Sequence, residues 1–275
     1  MGSDMTTMQT MAQLAPGLAP DQDGYGCTAA IITAVPVEAD SVSRLFDGWV
    51  TVKVPGDPQT YRRAAYEAGG QERIVITAQQ PYMGMASASM LAAKMIYTFR
   101  PKYLIMCGIA AGIGEESAQL YGDVLVPDMI WDYSTGKFVG KDESEIAFGS
   151  IGFQPRPVSV RIDPKMLAAV MQTVGSADNE FHVHVGPMAC GTSVVANREI
   201  VDKRIHALFP HTVGLDMESY SIYYAAEHCA GPRPLALVAK SICDFADSTK
   251  SDQYQKFAAY TSSGYVKYLL DNYLF

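Results

Sequence analysis

Two short apolar runs on either side of one helical segment limit the folds open to this chain. The runs are residues 73–78 (RIVITA) and 102–108 (KYLIMCG), and their β-branched and apolar content is typical of buried strands. Residues 84–99 lie between them, are rich in Ala and Met, and stop before Pro101, as a helix does. The order strand, helix, strand predicts a β-α-β unit.

The same alternation continues along the chain and predicts one α/β domain. A length of 275 residues can bury a full core. We therefore predict a central mixed sheet flanked by helices. Further strands are predicted at residues 27–35, 122–130, 181–189 and 234–242, and helices at residues 164–173, 197–208, 217–228 and 252–270.

Two segments lack such patterns. Residues 1–26 are rich in Met, Thr, Gln, Pro and Gly without periodicity, which predicts a disordered lead-in to a domain at residues 27–275. Residues 131–157 are rich in Gly, Ser and charge, and are longer than a simple connection requires. They are interpreted as a lid or subunit-contact loop, or equally as a plain surface excursion.

Composition narrows the class of partner. The net charge of −8 argues against a nucleic-acid surface and favours a small-molecule partner. Five cysteines without CxxC spacing indicate a reducing cytoplasm, and no apolar run reaches the ~20 residues of a membrane span. His182 and His184 share a strand face, but the sequence shows no third ligand, so no metal is predicted. No cofactor is predicted either.

Chemistry is expected where strands end, because ligands of open α/β sheets bind at the carboxyl ends of strands. Glu38 follows the first predicted strand, Glu218 opens a predicted helix, and Asp244 follows the last predicted strand. The glycine run at residues 107–114 (CGIAAGIG) follows another strand. Any single acid here could simply stabilise a helix N-terminus. Three acids at three strand ends favour a site.

Five motifs in order carry a family resemblance: ITAVPVEAD, CGIAAGIG, YGDVLVPD, GLDMES and SICDFADS. Their order and separations resemble the nucleoside phosphorylase superfamily, and within it the methylthioadenosine/S-adenosylhomocysteine nucleosidase branch, over residues 29–270. The resemblance implies a phosphorylase-type fold, a homo-oligomer, and hydrolysis of the N-glycosidic bond of a purine nucleoside or nucleotide, with adenine as the expected base.

The resemblance also assigns roles that fit the chemistry. Purine release passes through a ribosyl cation, so the site needs an acid for the base, a guide for water and a hold on the sugar. Asp244 matches the acid that protonates the base, which requires burial to favour its protonated form. Glu38 matches the residue that activates water. Glu218 matches the ligand of the ribose hydroxyls, with Met217 covering the sugar face, while Asp216 is expected to face elsewhere.

The resemblance also implies roles for positions that the reaction chemistry does not itself require. Gly108 and Ala110 are expected to let the main chain approach the ligand closely. Val194 stands where adenine-specific relatives place an aromatic that stacks on the base, so stacking must be weaker or come from elsewhere. Val195 is expected to offer main-chain groups to the purine edge. Lys240 stands where relatives often carry Arg, so an anion contact there would lack a bidentate fork.

Two alternatives stay open at this stage. A phosphorylase on the same fold would use phosphate in place of water, but the Glu38 carboxylate would repel phosphate and CGIAAGIG contains no basic residue. A catalytically idle nucleoside-sensing module would have kept the pocket without its chemistry, and the three acids argue against that. The group at ribose C5′ is not determined by the sequence.

Overall fold

The computed structural model describes residues 18–114, 118–140, 147–148 and 151–274. The strands are β1 (Cys27–Thr33), β2 (Val50–Lys53), β3 (Thr60–Ala68), β4 (Gln71–Gln79), β5 (Pro101–Gly112), β6 (Val124–Asp132), β7 (Gly136–Gly140), β8 (Ala147–Phe148), β9 (Ile151–Pro155), β10 (Ser159–Arg161), β11 (Val183–Cys190), β12 (Gly214–Asp216) and β13 (Leu235–Asp244). The helices are α1 (Pro36–Ser43), α2 (Met85–Phe99), α3 (Pro164–Thr173), α4 (Arg198–Ile200), α5 (Ser219–His228) and α6 (Gln255–Asn272), and α4 continues as a π-helix at Val201–His206.

A mixed sheet forms the centre of the domain, as predicted. Within the described residues it has ten strands, in the order β10-β6-β11-β12-β5-β1-β4-β3-β2, with β13 paired to both β5 and β6. Strand β5 therefore pairs with both β12 and β13. Strand β12 also pairs with β11, β11 pairs with β6, and β6 pairs with β13. The five strands form a closed ring within the sheet, which leaves their ends grouped around one small area.

The core explains why these segments form these elements. Strands β1 and β5 are buried along nearly their whole length, which is why they read as continuous apolar runs and not as alternating ones. Helix α2 buries one face at three- and four-residue spacing, and it ends before Pro101 as predicted. The buried residues of that face are Ala88, Leu91, Ala92, Met95, Ile96 and Phe99.

The predicted loop at residues 131–157 is largely strand. Residues Gly136–Gly140, Ala147–Phe148 and Ile151–Pro155 form a separate three-stranded antiparallel sheet in the order β7-β9-β8. The described part of β7 is mostly exposed, so it lacks the apolar run by which buried strands are recognised. The described residues of this segment thus form a small sheet, and its role as a lid, a subunit-contact loop or a plain surface excursion stays a prediction.

The boundary of the domain also differs from the predicted one in detail. The lead-in was expected to extend through Gly26, but the Gly26 amide donates to the Arg100 carbonyl and the Tyr25 hydroxyl donates to the Arg233 carbonyl. The last residues of this segment are thus held against the domain. Residues 1–17 lie outside the described residues. No described helix is both long and apolar enough to cross a membrane.

Candidate active site

A cavity of about 280 Å³ opens where β1, β5, β12 and β13 end. Seven of the eight residues predicted for the site line this cavity, and Gly108 is the exception. The predicted residues in the lining are Glu38, Ala110, Val194, Val195, Met217, Glu218 and Asp244. The remaining lining includes Ala34, Val35, Met83, Ile109, Ala111, Ser193, Leu215, Asp216, Cys243, Lys250, Asp252 and Gln255. Its volume is near the lower end of small-ligand pockets.

Main-chain amides hold Glu38 in place. Its Oε2 accepts from the amides of Ala34 and Val35 at 2.6 and 3.1 Å, and its Oε1 accepts from the Ile109 amide at 2.8 Å. Gly108 makes this possible, because a Cβ there would lie 2.0 Å from Glu38 Oε1. The close approach predicted at Gly108 is therefore to Glu38 and not to the cavity, a detail of packing that the glycine run alone does not reveal.

Asp216 and Glu218 divide two tasks at the start of α5. Asp216 accepts from the Ser219 amide and, at 2.6 Å, from the Ser219 hydroxyl, so it caps the helix. Glu218 instead reaches across to α2, where its Oε1 accepts from the Gly84 amide at 2.7 Å. Both carboxylates border the cavity. The expectation that Asp216 faces elsewhere is wrong, because β12 ends at Asp216 and the chain turns there.

Lys240 is the fully buried cation behind these acids. Its Nζ lies 3.8 Å from Glu38 Oε1, 3.7 Å from Asp216 Oδ2 and 3.8 Å from Glu218 Oε2. These separations exceed an ordinary hydrogen bond, so the ammonium acts as a charge shared by three carboxylates. Burial by itself would lower the pKa of Lys240, but the three acids outweigh it and the pKa lies above its ordinary value of 10.5.

The same cluster shifts the pKa of Asp216. Burial raises the pKa of the Asp216 carboxyl above its ordinary value, the Lys240 charge opposes this shift, and the nearby Glu218 charge adds to it. Three acids around one ammonium leave the cluster with an excess of negative charge when all are ionised. This side of the cavity is therefore suited to stabilising a cation that develops in the cavity.

Asp244 lies at the end of β13 on another side of the cavity. Its Oδ1 accepts from the Ala246 amide at 3.0 Å, and Ala246 adopts a φ of 55°, uncommon for a residue with a Cβ. Its Oδ2 forms an ion pair with Lys250, whose side chain is 29% exposed. Lys250 also borders the cavity, so it must move aside before a ligand atom can reach Oδ2.

Apolar side chains form much of the remaining lining. Val195 is buried, whereas Val194 is 56% exposed at the rim. Met217 and Met83 add thioether surface, which packs well against rings of varied shape. Among the described lining residues no aromatic side chain is present, and Val194 occupies the position where adenine-specific relatives place a stacking aromatic.

Sequence reasoning weighed Lys240 only as an anion contact and expected Asp216 to face elsewhere, and it did not consider Lys250. Lys240 carries a weak signal, because a lysine in the middle of an apolar strand run is rare unless it is paired. Lys250 is indistinguishable from a solvated loop lysine by sequence. For Asp216 the sequence signal is Ser219 three residues later, whose hydroxyl donates to the Asp216 carboxylate, and this spacing is too common to identify a site residue.

Comparison with known proteins agrees with this architecture. The model of the phosphorylase superfamily matches residues 28–274. The chain therefore belongs to the phosphorylase superfamily. Its central mixed sheet flanked by helices, with the acids at the strand ends, is the arrangement predicted from the sequence.

Two relatives show how far the likeness extends. The uncharacterized protein y4jS of Sinorhizobium fredii is 32% identical over 240 residues, which cover 81% of this chain and 55% of that protein. ATP nucleosidase Cap17 of Escherichia coli is 23% identical over 257 residues, which cover 83% of this chain and 48% of that protein. The chain thus spans about half the length of these relatives.

Solved structures show the same fold. The 5′-methylthioadenosine/S-adenosylhomocysteine nucleosidase of Neisseria meningitidis, in complex with methylthio-immucillin-A, superposes with a TM-score of 0.70 at 20% identity. The superposition covers 89% of this chain and 98% of that one. The likeness therefore includes nearly the whole described domain.

Proposed function

We propose that this protein is a purine nucleosidase that hydrolyses the N-glycosidic bond of an adenine nucleoside or nucleotide. The observation that carries the proposal is the convergence of Glu38, Glu218 and Asp244 from three separate strand ends on one cavity. Breaking this bond needs an acid for the leaving base, a guide for water and stabilisation of a ribosyl cation. The three carboxylates supply one group for each task.

The position of each acid supports one assignment of these tasks. Asp244 borders the cavity, and once Lys250 moves away its carboxylate takes up a proton from solvent and passes it to the purine. Glu218 meets the ribose hydroxyls with the oxygen atoms that face the cavity, and Met217 covers the sugar. Glu38 binds the attacking water beside the anomeric carbon, and its main-chain hydrogen bonds fix its orientation before the substrate arrives.

The charges favour water over phosphate as the nucleophile. The described lining contains five acids, Glu38, Asp216, Glu218, Asp244 and Asp252, but only one basic residue, Lys250, and no arginine. Lys250 and the buried Lys240 are both already paired with carboxylates. A phosphate dianion would therefore lie close to like charges without a bidentate partner, which is costly in a partly desolvated cavity.

The names of the similar proteins support an adenine substrate. One relative is an ATP nucleosidase, and the structural neighbour from Neisseria meningitidis is a 5′-methylthioadenosine/S-adenosylhomocysteine nucleosidase. These substrates share adenine and ribose and differ at C5′. We accordingly propose adenine release as the reaction and leave the C5′ group to be found by a substrate screen.

The experiment that tests this function follows both products. Adenosine, methylthioadenosine, S-adenosylhomocysteine and ATP are each incubated with the protein, and free adenine is measured by chromatography. Inorganic phosphate is then added in rising amounts with the substrate that reacts, and the sugar product is identified by mass. A free sugar formed at a rate independent of phosphate supports hydrolysis. A sugar 1-phosphate would establish a phosphorylase, and ligand binding without adenine release would establish a sensing module.

A variant of Glu38 makes the test specific. Glu38→Ala should abolish hydrolysis while adenine still binds, because it removes the water guide and leaves the base contacts in place. Glu67→Ala, on the exposed face of β3, is the matched control and should keep full activity. Unchanged hydrolysis in a folded Glu38→Ala variant would contradict the assignment.

We also propose a homo-oligomer in the cytoplasm. Tyr82, Met83 and Met90 are 79%, 59% and 61% exposed and line one groove, and Met83 also borders the cavity, so a second copy packed there would cover apolar surface beside the site. All five cysteines are free and buried, which suits a reducing compartment. Light scattering of the purified protein tests the first proposal, and fractionation of the source cells tests the second.

A further inference from the structure

A cluster away from the cavity brings two histidines together with one buried aspartate. His182 and His184 lie on the same side of β11 and its approach, as alternate residues of a strand do. Asp123 precedes β6, and the parallel pairing of β11 with β6 sets Val183 beside Val124. Residues that are 59 and 61 positions apart in the sequence thereby become neighbours. Asp123 is thus a third potential ligand beside the histidines, one that the sequence alone did not show.

Both imidazoles point at the same carboxylate oxygen. His182 Nδ1 lies 2.9 Å and His184 Nε2 lies 2.8 Å from Asp123 Oδ2, and one potential ligand atom from each residue falls within 4.8 Å of the others. Asp123 is 6% exposed and its Oδ2 also accepts from the Leu120 amide at 2.9 Å. The carboxylate is therefore fixed, while the His182 side chain is 65% exposed and reaches solvent.

We propose that Asp123, His182 and His184 form a binding site for one divalent transition-metal ion, with zinc as the representative. Two imidazoles and one carboxylate are ligands that zinc, cobalt and nickel prefer, whereas magnesium and calcium prefer oxygen ligands alone. Three protein ligands leave a coordination position open for water, and the exposure of His182 provides a path for the ion.

The distances suit this assignment. Ligands at about 2.0–2.1 Å from a tetrahedral zinc ion lie about 3.3 Å from one another. The two nitrogen–oxygen separations are 2.8 and 2.9 Å, so an outward shift of about half an ångström per pair would admit the ion. The exposed His182 side chain can make that shift. In the neutral imidazoles, the proton on each ligating nitrogen moves to the other ring nitrogen when the metal binds.

The site is tied to the strand that carries Asp244. The Ile242 amide donates to the Asp123 carbonyl, and the Gly122 amide donates to the Ile242 carbonyl, both at 3.0 Å. Ile242 is two residues before Asp244 in β13. A bound ion would therefore clamp β6 and β11 next to this strand and resist its separation on unfolding.

Metal titration tests the proposal directly. The protein is first treated with a chelator, and zinc binding is then measured by calorimetry and by the shift in Tm. One zinc ion per chain is expected, with a rise in Tm of roughly 5 °C when free zinc exceeds the Kd about 100-fold. Magnesium at the same concentration should change neither signal. Absence of saturable zinc binding, or equal binding of magnesium, overturns the proposal.

Variants and a spectroscopic probe locate the ion. His184→Ala and His182→Ala should each abolish the stoichiometric binding, whereas His211→Ala, an exposed histidine outside the cluster, should retain it. The His182→Ala variant is expected to fold normally, because the His182 side chain is largely exposed, so its loss of zinc binding would not come from misfolding. Cobalt should give a visible absorption band without the near-ultraviolet charge-transfer band of a thiolate. Binding that persists in both cluster variants, or a thiolate band, would overturn the assignment to these residues.

Discussion

The two sides of the cavity are built by different means. Glu38, Asp216, Glu218 and Lys240, here called the lysine-centred cluster, are buried and held by main-chain amides and one shared ammonium. Across the cavity, the Asp244–Lys250 pair joins a strand end to a partly exposed lysine on the loop before α6. One side is fixed before any ligand arrives, and the other contains a contact that a ligand must replace.

The difference follows from the cost of burying charge. An ammonium removed from water is tolerated only where carboxylates surround it, and removing one partner of such a set is strongly destabilising. A solvent-exposed pair contributes little, about 0–1 kcal/mol, and a partly exposed lysine can turn to water when its partner is taken by a ligand. We infer that the lysine-centred cluster provides fixed electrostatics for the ribosyl cation, whereas the Asp244–Lys250 pair provides an exchangeable contact for the base.

The largest effect on turnover is expected at Asp244. Asp244→Asn cannot donate the proton that makes the purine leave, so turnover should fall about 10²- to 10⁴-fold in steady-state assays of adenine release. Asp247→Asn is the matched control three residues away, outside the cavity lining, and should stay close to wild type. Wild-type turnover in a folded Asp244→Asn protein would remove the acid from the mechanism.

The largest effect on stability is expected at Lys240. Lys240→Met leaves three buried carboxylates without their cation, and denaturant unfolding should show a loss of about 3–5 kcal/mol. Lys94→Met breaks the ion pair with Asp57, whose lysine side chain is 32% exposed, and should cost about 1 kcal/mol or less. Similar losses in the two variants would contradict the contrast between fixed and exchangeable charge.

The pH dependence of that loss has a definite sign. The folded-state pKa of Lys240 lies above its ordinary value of 10.5, so its stabilising contribution is complete below pH 10.5 and is lost as pH rises through the folded pKa. The difference between wild type and Lys240→Met should accordingly shrink in strongly alkaline solution. Denaturation curves at neutral pH and above pH 10.5 would measure it, and a difference that grows with pH would refute the assignment.

A smaller effect is expected at Glu218. Glu218→Gln keeps a hydrogen-bonding shape but removes a charge that stabilises the ribosyl cation, and turnover should fall about 10²-fold. The Gly84 amide can still donate to the amide oxygen of Gln, but Lys240 loses one of its three carboxylates, so Tm should fall as well. If neither turnover nor affinity changes, Glu218 serves only to cap α2.

The smallest effect is expected at Lys250. Lys250→Ala removes a side chain that competes with the base for Asp244, so KM should fall less than tenfold and kcat should stay near wild type. A loss of kcat by orders of magnitude would show that Lys250 takes part in the reaction and that the two sides of the cavity are equally fixed.

Long apolar strands were predictable because their burial on both faces leaves a continuous signal in the sequence. The predicted strand at residues 102–108 lies inside β5 (Pro101–Gly112), and α3 (Pro164–Thr173) has the predicted bounds because Asp163 caps it and Pro164 begins it. The edge strand β2 and its neighbour β3 were missed, since exposed and polar residues interrupt the pattern.

The sequence by itself determined the long buried strands and the acids that follow them, because both depend on local pattern and spacing. Only the tertiary structure decided that Lys240 lies among Glu38, Asp216 and Glu218, and that Asp123 meets His182 and His184. Those contacts depend on which strands pair and in what register, which places Lys240 beside Gly108 and Val183 beside Val124. Pairing across such separations is set by closure of the whole sheet, and no local stretch of the chain encodes it.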